Sequence, residues 1–562
     1  MIPAGATKPS ESARSPGPDV DDLLAAMTVE QKVGQLMMIG FAGTEVDPDV
    51  EALVKGREVG GICLFKRNVV SAAQVAKLNS DLRGLLDGRV PPFIALDQEG
   101  GNVVRIDDGN VVLPGAMALG ATHSPELAYR AGRAQAEDLI LLGFNMNLAP
   151  VLDVNMNPRN PVIGIRSFGD RPGVVADFGA AFVRGQQDAN IVTVAKHFPG
   201  HGSTDADSHR ALPVMSETPE EVRAQLEPFV RVIGEGLDGL MTAHVAIPKL
   251  TGHSHPATLS PEVLTTLLRK DLSFDGLVVT DELEMEAIAK HYGVGRAAVM
   301  SVKAGADMVL VPWRAEKKTE VYESLLAAAK AGELSQARLD EAVRRILLTK
   351  VRRGLFDAPP PLEQRLAKLG DGTRHSVMKE VARNSVTLLR TDARWFPITG
   401  KKKIGVLTAE SALGQAILSR APDAKVVVVS ANPDAIARSQ QQKTARQLAL
   451  ESDVLIVGLI NSRQLELVKS AAATGKPVLV VSMGLPYLVE QLSDARAVLA
   501  VYSYQDASAE AAAAALFGEQ GTPGRLPVTL SKQLPWGYGL DAVGRRLADG
   551  SAPPAARAKS AE

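Results

Sequence analysis

The sequence predicts an α/β protein: an N-terminal (β/α)8 TIM-like barrel followed by an α/β (αβα) sandwich. Three observations predict it. Short, nearly continuous apolar runs alternate with longer amphipathic stretches along most of the chain. Eight such pairs fall within about 300 residues, the count and span of a closed parallel barrel. A Pro-rich break, "APPPLEQ" at 358–364, separates them from a second alternating block.

The eight runs, in order, are "VGQLMMIGF", "GGICLF", "PFIALDQEG", "FNMNLAPVLDV", "NIVTVAKHF", "LDGLMTAHV", "FDGLVVTD" and "GADMVLVP". Each is apolar on both alternating faces, as strands sandwiched between a barrel interior and outer helices must be. The segments between them read as helices. Two, "SPELAYRAGRAQAEDLILLG" and "SPEVLTTLLRKDL", open on Ser-Pro-Glu, a capping residue followed by proline in the first turn. Polar residues gather where the runs end: Lys66 and Arg67, Asp97, Asp153, Lys196 and His197, His244, Asp281, Trp313. In such barrels the C-terminal strand ends form the active face.

After the break, "TRHSVMKEVARNSVTLL" reads as a bridging helix. The runs "KIGVLT", "AKVVVVSA", "VLIVGLI", "KPVLVVSMG" and "AVLAVYS" read as five parallel strands of a doubly wound layer. Their ends carry few chemically active groups, so this domain is expected to support or enclose rather than react. The expected boundaries are a disordered N-terminal segment at 1–20, the catalytic barrel at 21–357, a linker and bridging helix at 358–400, the sandwich at 401–545 and a disordered tail at 546–562. Both termini are rich in Pro, Ser, Gly and Ala.

Composition narrows the function. A chain of 562 residues is too long for one compact domain. A net charge of −2 leaves no footprint for nucleic acid or an acidic membrane surface. No apolar run approaches the roughly 20 residues of a membrane span. The N-terminus has no apolar stretch of a leader, which leaves a cytoplasmic protein or one whose leader is absent. Cys63, the one cysteine, lies in an apolar run and reads as a buried structural thiol. Nothing in composition fixes the oligomeric state.

Six of the nine histidines fall between His197 and His255. Three arrangements there mimic known sites. Gly234, Gly236 and Gly239 match G-x-G-x-x-G, but they follow a helix and precede a strand, the reverse of what pyrophosphate binding needs. His253 and His255 form His-x-His, but in a Pro- and Gly-flanked loop and not at a strand end. Asp205, Asp207 and His209 fit neither a calcium loop nor a zinc signature. No metal and no organic cofactor is expected.

The carboxylates carry more. Asp281 closes the seventh run in "VVTDELEME", where a side chain is held rigidly at the barrel mouth. A glycosidase nucleophile needs that setting. The alternative is an N-cap of the next helix. Glu282, Glu284 and Glu286 follow and read as a solvated helix face. A retaining mechanism also needs a proton donor that later activates water. Asp207-Ser208-His209 offers one. Histidine titrates near 6.5 in the absence of perturbation, and an Asp two residues away in extended chain points the same way and can fix its tautomer.

These stretches together resemble a known family. "ALDQEGGNVVRI", "NPVIGIRSFGD", "KHFPGHGSTDADSH", "MTAHVAIP" and "VVTDELEM" are similar to the bacterial β-N-acetylglucosaminidases of glycoside hydrolase family 3. The second domain, with "GTPGRLPVTL" and "QLPWGYGL", resembles the sandwich of its two-domain members. The resemblance implies that Asp281 is the nucleophile and His209 the acid/base, with Asp207 its partner. It implies that Asp97 holds sugar hydroxyls, that Arg105, Arg166, Lys196 and His197 bind sugar, and that His244 belongs to the pocket floor. The implied substrate is a terminal β-linked N-acetylglucosamine of a muropeptide or chitooligosaccharide. Thr280-Asp281-Glu282 stands where the family's β-glucosidases carry Ser-Asp-Trp, and Asn102 stands where an arginine follows the paired glycines. The competing readings are a β-glucosidase or broad exo-glycosidase, an N-acetylglucosaminide phosphorylase, and a metal-dependent amidohydrolase.

Overall fold

A computed structural model describes residues 17–547. The eight N-terminal strands close into one parallel barrel in sequence order. They are β1 (Met37–Ile39), β2 (Gly61–Leu64), β3 (Phe93–Leu96), β4 (Met146–Asn147), β5 (Val192–Phe198), β6 (Gly239–Thr242), β7 (Leu277–Glu282) and β8 (Met308–Val311). Closure comes from β1 pairing with both β2 and β8, Met38 opposite Gly61 on one side and Leu310 on the other.

The strand side chains are almost wholly buried, including Met37, Met38, Ile39, Ile62, Val278 and Val309. Each such side chain contributes about 1.5–3 kcal/mol relative to exposure. Cys63 sits among them, fully buried, and burial pushes its thiol well up. Ser124 caps the helix Pro125–Leu141 by accepting the Leu127 amide, with proline in the first turn as its sequence requires.

Two runs make shorter strands than their apolarity suggests. Thr28 and Gln31 form a reciprocal capping box, so Val29–Gln35 is a helix and takes the first part of "VGQLMMIGF". In "FNMNLAPVLDV" only Met146–Asn147 is a regular strand, because the chain then meets Pro150 and turns toward the barrel mouth.

By chain contacts the molecule divides into two compact units. One holds residues up to Ala116 together with Ser124–Met378. The other holds Met117–His123 and the residues from Lys379 on. The second unit carries a six-stranded sheet of β9 (Thr387–Arg390), β10 (Ile404–Thr408), β11 (Lys425–Val428), β12 (Val454–Leu459), β13 (Val478–Ser482) and β14 (Ala497–Ala500), in the order β11-β10-β12-β13-β14-β9.

The bridging helix is shorter than its sequence pattern. It stops at Ser385, and "TLLR" becomes β9, antiparallel to β14 at the sheet edge. The β-branched and apolar residues after Ser385 bury better on a sheet than on a helix. At the other edge β11 is partly exposed, since no strand covers its outer side. The expected terminal segments lie mostly outside the described residues, and the chain is already helical from Val20. Among the described residues no helix is long and apolar enough to cross a membrane.

Candidate active site

The strand ends surround a cavity of about 420 Å³ in the first unit. Lys66, Arg67, Asp97, Lys196, His197, Asp281 and Trp313, all singled out as strand-end polar groups, line it. So do Glu99, Arg105, Arg166 and His209. Asp153 and His244 do not. They lie beyond β4 and β6, and both are fully buried behind the wall.

Asp97 and Glu99 lie two residues apart beyond β3 and face the same way. Lys196 at the end of β5 reaches both, with Nζ 2.6 Å from Asp97 Oδ1 and 2.7 Å from Glu99 Oε1. Arg105 donates to Asp97 Oδ2 at 3.1 Å. Arg166 grips Glu99 through two bonds of 2.8 Å, the bidentate geometry that a planar guanidinium suits. The result is a ladder of alternating charge: Arg105, Asp97, Lys196, Glu99, Arg166. Burial alone would favour the neutral acids. Lys196 and Arg105 outweigh it at Asp97, and Arg166 and Lys196 hold Glu99 far below the usual carboxylate range. Burial likewise favours neutral Lys196, but its two carboxylates raise it.

Buried Gln98 sets the loop that delivers Arg105. Its Oε1 accepts the Arg105 and Ile106 amides, and its amide donates to the Ile106 carbonyl. Asn102, at the tip of that loop, is exposed and does not line the cavity.

His197 donates Nδ1–H to Asp153 at 2.6 Å, which turns Nε2 toward Arg166 Nη2 at 3.5 Å. Asp153 also accepts the His201 amide at 2.7 Å. It therefore anchors the start of the loop that follows β5. That loop is bolted further by Asn160, which donates to the His201 and Thr204 carbonyls. Gly202 is required here, since a Cβ would lie 1.8 Å from the Val154 carbonyl oxygen. His201, buried and pushed down by burial, bridges Thr204 and Ser208.

The loop presents His209 to the cavity. His209 Nδ1 lies 2.7 Å from Asp207 Oδ1, and its backbone amide donates to the same oxygen at 2.9 Å. The pairing arises differently from the expectation. The stretch is a single helical turn, with the Arg210 and Ala211 amides on the Asp207 carbonyl, and not extended chain. With Nδ1–H committed to the carboxylate, Nε2 is the ring nitrogen left for proton transfer. Burial opposes ionisation of Asp207, but the His209 amide and ring hold it below its ordinary value.

Asp281 ends β7 beside this loop. It is not a helix cap: the following helix, Glu286–Tyr292, starts after Met285. Its Oδ1 accepts the Glu282 amide at 2.8 Å. Burial would raise it, but the His244 and His197 rings, that amide and Lys196 together hold it low and ionised. His244 Nε2 donates to the Glu282 carbonyl at 2.9 Å, and its Nδ1 meets Thr258 at 2.8 Å. So His244 is not a floor residue in contact with the cavity. It anchors the Glu282 carbonyl, one peptide beyond the amide that holds Asp281.

Of the acids after Asp281, Glu286 is exposed at the start of the next helix as expected, but Glu282 and Glu284 are not a solvated face. The Glu284 side chain is 2% exposed and accepts the Trp313 and Arg314 amides. Glu282 lines the cavity. Burial pushes it up to about 7, with Asp281 and Glu284 adding to the rise and Trp313 and Arg67 opposing it. A group raised on folding contributes stability below its unfolded value, and loses it as pH rises through the folded one. Here that window runs from 4.5 to about 7. Glu282→Gln is therefore expected to melt at a higher temperature than the parent at about pH 8, with the gain absent near pH 4.5. Thermal melts at the two pH values check this, and equal melting temperatures at both would refute it.

The His-x-His and glycine mimics lie away from the cavity, and of the third group only His209 lines it. His253 pairs with Glu262 and His255 with Tyr292. Gly234 ends a helix ahead of β6. Asp205 accepts from Asn157. Among the described residues no group of three or more His, Cys, Asp or Glu is placed to hold a metal ion.

Residues 28–349 match the description "Glycosyl hydrolase family 3 N terminal domain", and 294–541 match "Glycosyl hydrolase family 3 C-terminal domain". A "Beta-hexosaminidase A" of Pseudoalteromonas piscicida is 33% identical over 407 residues, 65% of this chain and 68% of that protein. A "Beta-hexosaminidase" of Pseudomonas aeruginosa is 38% identical over 280 residues, 49% of this chain and 81% of its own. A solved glycoside hydrolase family 3 beta-N-acetylglucosaminidase from Paenibacillus sp. str. FPU-7 superposes with a TM-score of 0.85. It is 37% identical and covers 90% of this chain and 99% of its own.

Proposed function

The chain belongs to glycoside hydrolase family 3, and from that premise we propose that it is a retaining β-N-acetylhexosaminidase, releasing terminal β-linked N-acetylglucosamine from a muropeptide or chitooligosaccharide. The observation that carries the reading is that ionised Asp281 and Asp207-tethered His209 line one cavity. The relatives named as β-hexosaminidases and the solved β-N-acetylglucosaminidase support the choice of sugar.

The chemistry follows from the charges. The Asp281 carboxylate attacks the anomeric carbon while His209 gives its proton to the departing oxygen. A glycosyl ester forms and the glycosidic bond breaks. His209 then takes a proton from water. The hydroxide adds to the anomeric carbon, and the Asp281 carboxylate leaves. Asp207 orients the ring and balances its charge when it is doubly protonated. Asp97, Lys196, Arg105 and Arg166 present charged acceptors and donors to sugar hydroxyls and an amide carbonyl. His197 steadies Arg166, and His244 anchors the Glu282 carbonyl and helps hold Asp281 low.

Kinetics on paired aryl glycosides test this. The aryl N-acetyl-β-glucosaminide should exceed the aryl β-glucoside in kcat/KM by more than about tenfold, because polar groups placed for an amide go unpaired with glucose. Added phosphate should leave the product as free sugar. Equal rates on the two glycosides, or sugar 1-phosphate formed with phosphate, would overturn the assignment.

A further inference from the structure

The cavity has a second sector that the mechanism does not use. The charge ladder stands on β3, β5 and their loops. Next to it, the ends of β2 and β8 supply Phe65 and Trp313, which flank β1 and line the same cavity. Their rings lie 4.7 Å apart at 42°. Trp313 is 44% exposed, unusual for so large an apolar ring.

This exposed ring is firmly built in. Arg67 stacks on it, with its guanidinium carbon 4.0 Å from the Trp313 centroid and 5.0 Å from that of Phe65. Arg67 is itself pinned by the Phe41 and Pro312 carbonyls. Buried Glu284 clamps the Trp313 backbone amide at 2.7 Å. Glu282, the neighbour of Asp281, lines the same cavity. Arg105 joins the two sectors, bonded to Asp97 and 5.6 Å from the Phe65 centroid. A buried carboxylate and a pinned guanidinium thus hold an aromatic surface open to solvent beside the reacting groups.

We propose that Phe65 and Trp313 form the platform for the leaving group, stacking the apolar face of the ring that departs from N-acetylglucosamine, with Glu282 hydrogen-bonding a hydroxyl of that ring. The C–H face of a pyranose carries slight positive charge and meets the negative face of an aromatic ring. One face of Trp313 is taken by Arg67, so the exposed remainder is the stacking surface. The platform acts only while the leaving group is present. It assists formation of the covalent intermediate and is empty during its hydrolysis. The inference rests on the glycosidase reading of the cavity.

The test compares Trp313→Ala, Phe65→Ala and Trp313→Phe on two substrates. One is the β-linked disaccharide of N-acetylglucosamine, whose leaving group is a ring. The other is N-acetyl-β-glucosaminyl fluoride, whose leaving group has none. Both alanine variants should lose roughly tenfold or more in kcat/KM on the disaccharide, and far less on the fluoride. Trp313→Phe should recover most of the loss. Turnover of the fluoride also reports that the variants are folded. Equal losses on both substrates, or no loss on the disaccharide, would overturn the platform. A parent protein inert to both substrates would overturn the glycosidase reading instead.

Discussion

Asp281→Asn is expected to lower kcat by about 10³-fold or more while leaving the barrel intact, since removal of an essential nucleophile commonly costs this much. The carboxylate sits at the end of β7, held low by the nearby imidazoles and Lys196 and fixed by the Glu282 amide. The amide side chain is nearly the same size, so packing changes little. It cannot form the glycosyl ester. Rates with purified variant, alongside circular dichroism for the fold, make the measurement. A variant that keeps more than a few per cent of parental kcat would remove Asp281 from the chemistry. Asp281→Ala should behave alike.

His209→Ala is expected to show a loss that depends on the leaving group. On a natural disaccharide the departing alkoxide needs a proton, and kcat/KM should fall about 10²–10⁴-fold. On a substrate with a very acidic phenol the proton is not needed, and kcat/KM should fall far less. Hydrolysis of the intermediate still requires a base, so kcat should become limited there and a burst of phenol should appear. His209 lends itself to this test because it is 61% exposed on its loop, so truncation leaves no cavity in the core. Asp207→Ala should give a milder version, with the ring present but unoriented. A uniform loss over all leaving groups without a burst would reassign His209 to sugar binding or loop support. Glu282, the cavity acid that burial pushes up to about 7, would then be the next candidate.

Much of this site is readable in the chain because the barrel confines it. A polar residue that ends an apolar run must lie at the barrel mouth, which is why Asp97, Lys196 and Asp281 are visible without coordinates. What is hidden depends on partners far away in sequence. Glu99 meets Arg166 across 67 residues, a pairing that barrel closure alone creates. Asp153 and His244 close apolar runs as Asp281 does, yet both turn into the wall to bind loop and backbone. No local pattern separates those outcomes. Glu284 resembles a solvated acid because its neighbours alternate like an exposed helix, whereas its partners are two amides after β8. In the second unit the sheet edge claims "TLLR", a segment whose helical periodicity continues from the helix before it.

The ladder of Arg105, Asp97, Lys196, Glu99 and Arg166 bears on how the cavity responds to its medium. Each charge touches its opposite at 2.6–3.1 Å, within side chains that are 2–25% exposed. Dissolved ions screen exposed charges over a Debye length of about 8 Å at physiological ionic strength, but they act weakly on buried pairs already in contact. An uncharged sugar that settles on this floor displaces water and no counterions. Its grip should hold in concentrated brine as in dilute buffer. The exposed Lys66–Asp107 pair at the rim lacks that protection and should slacken as salt rises.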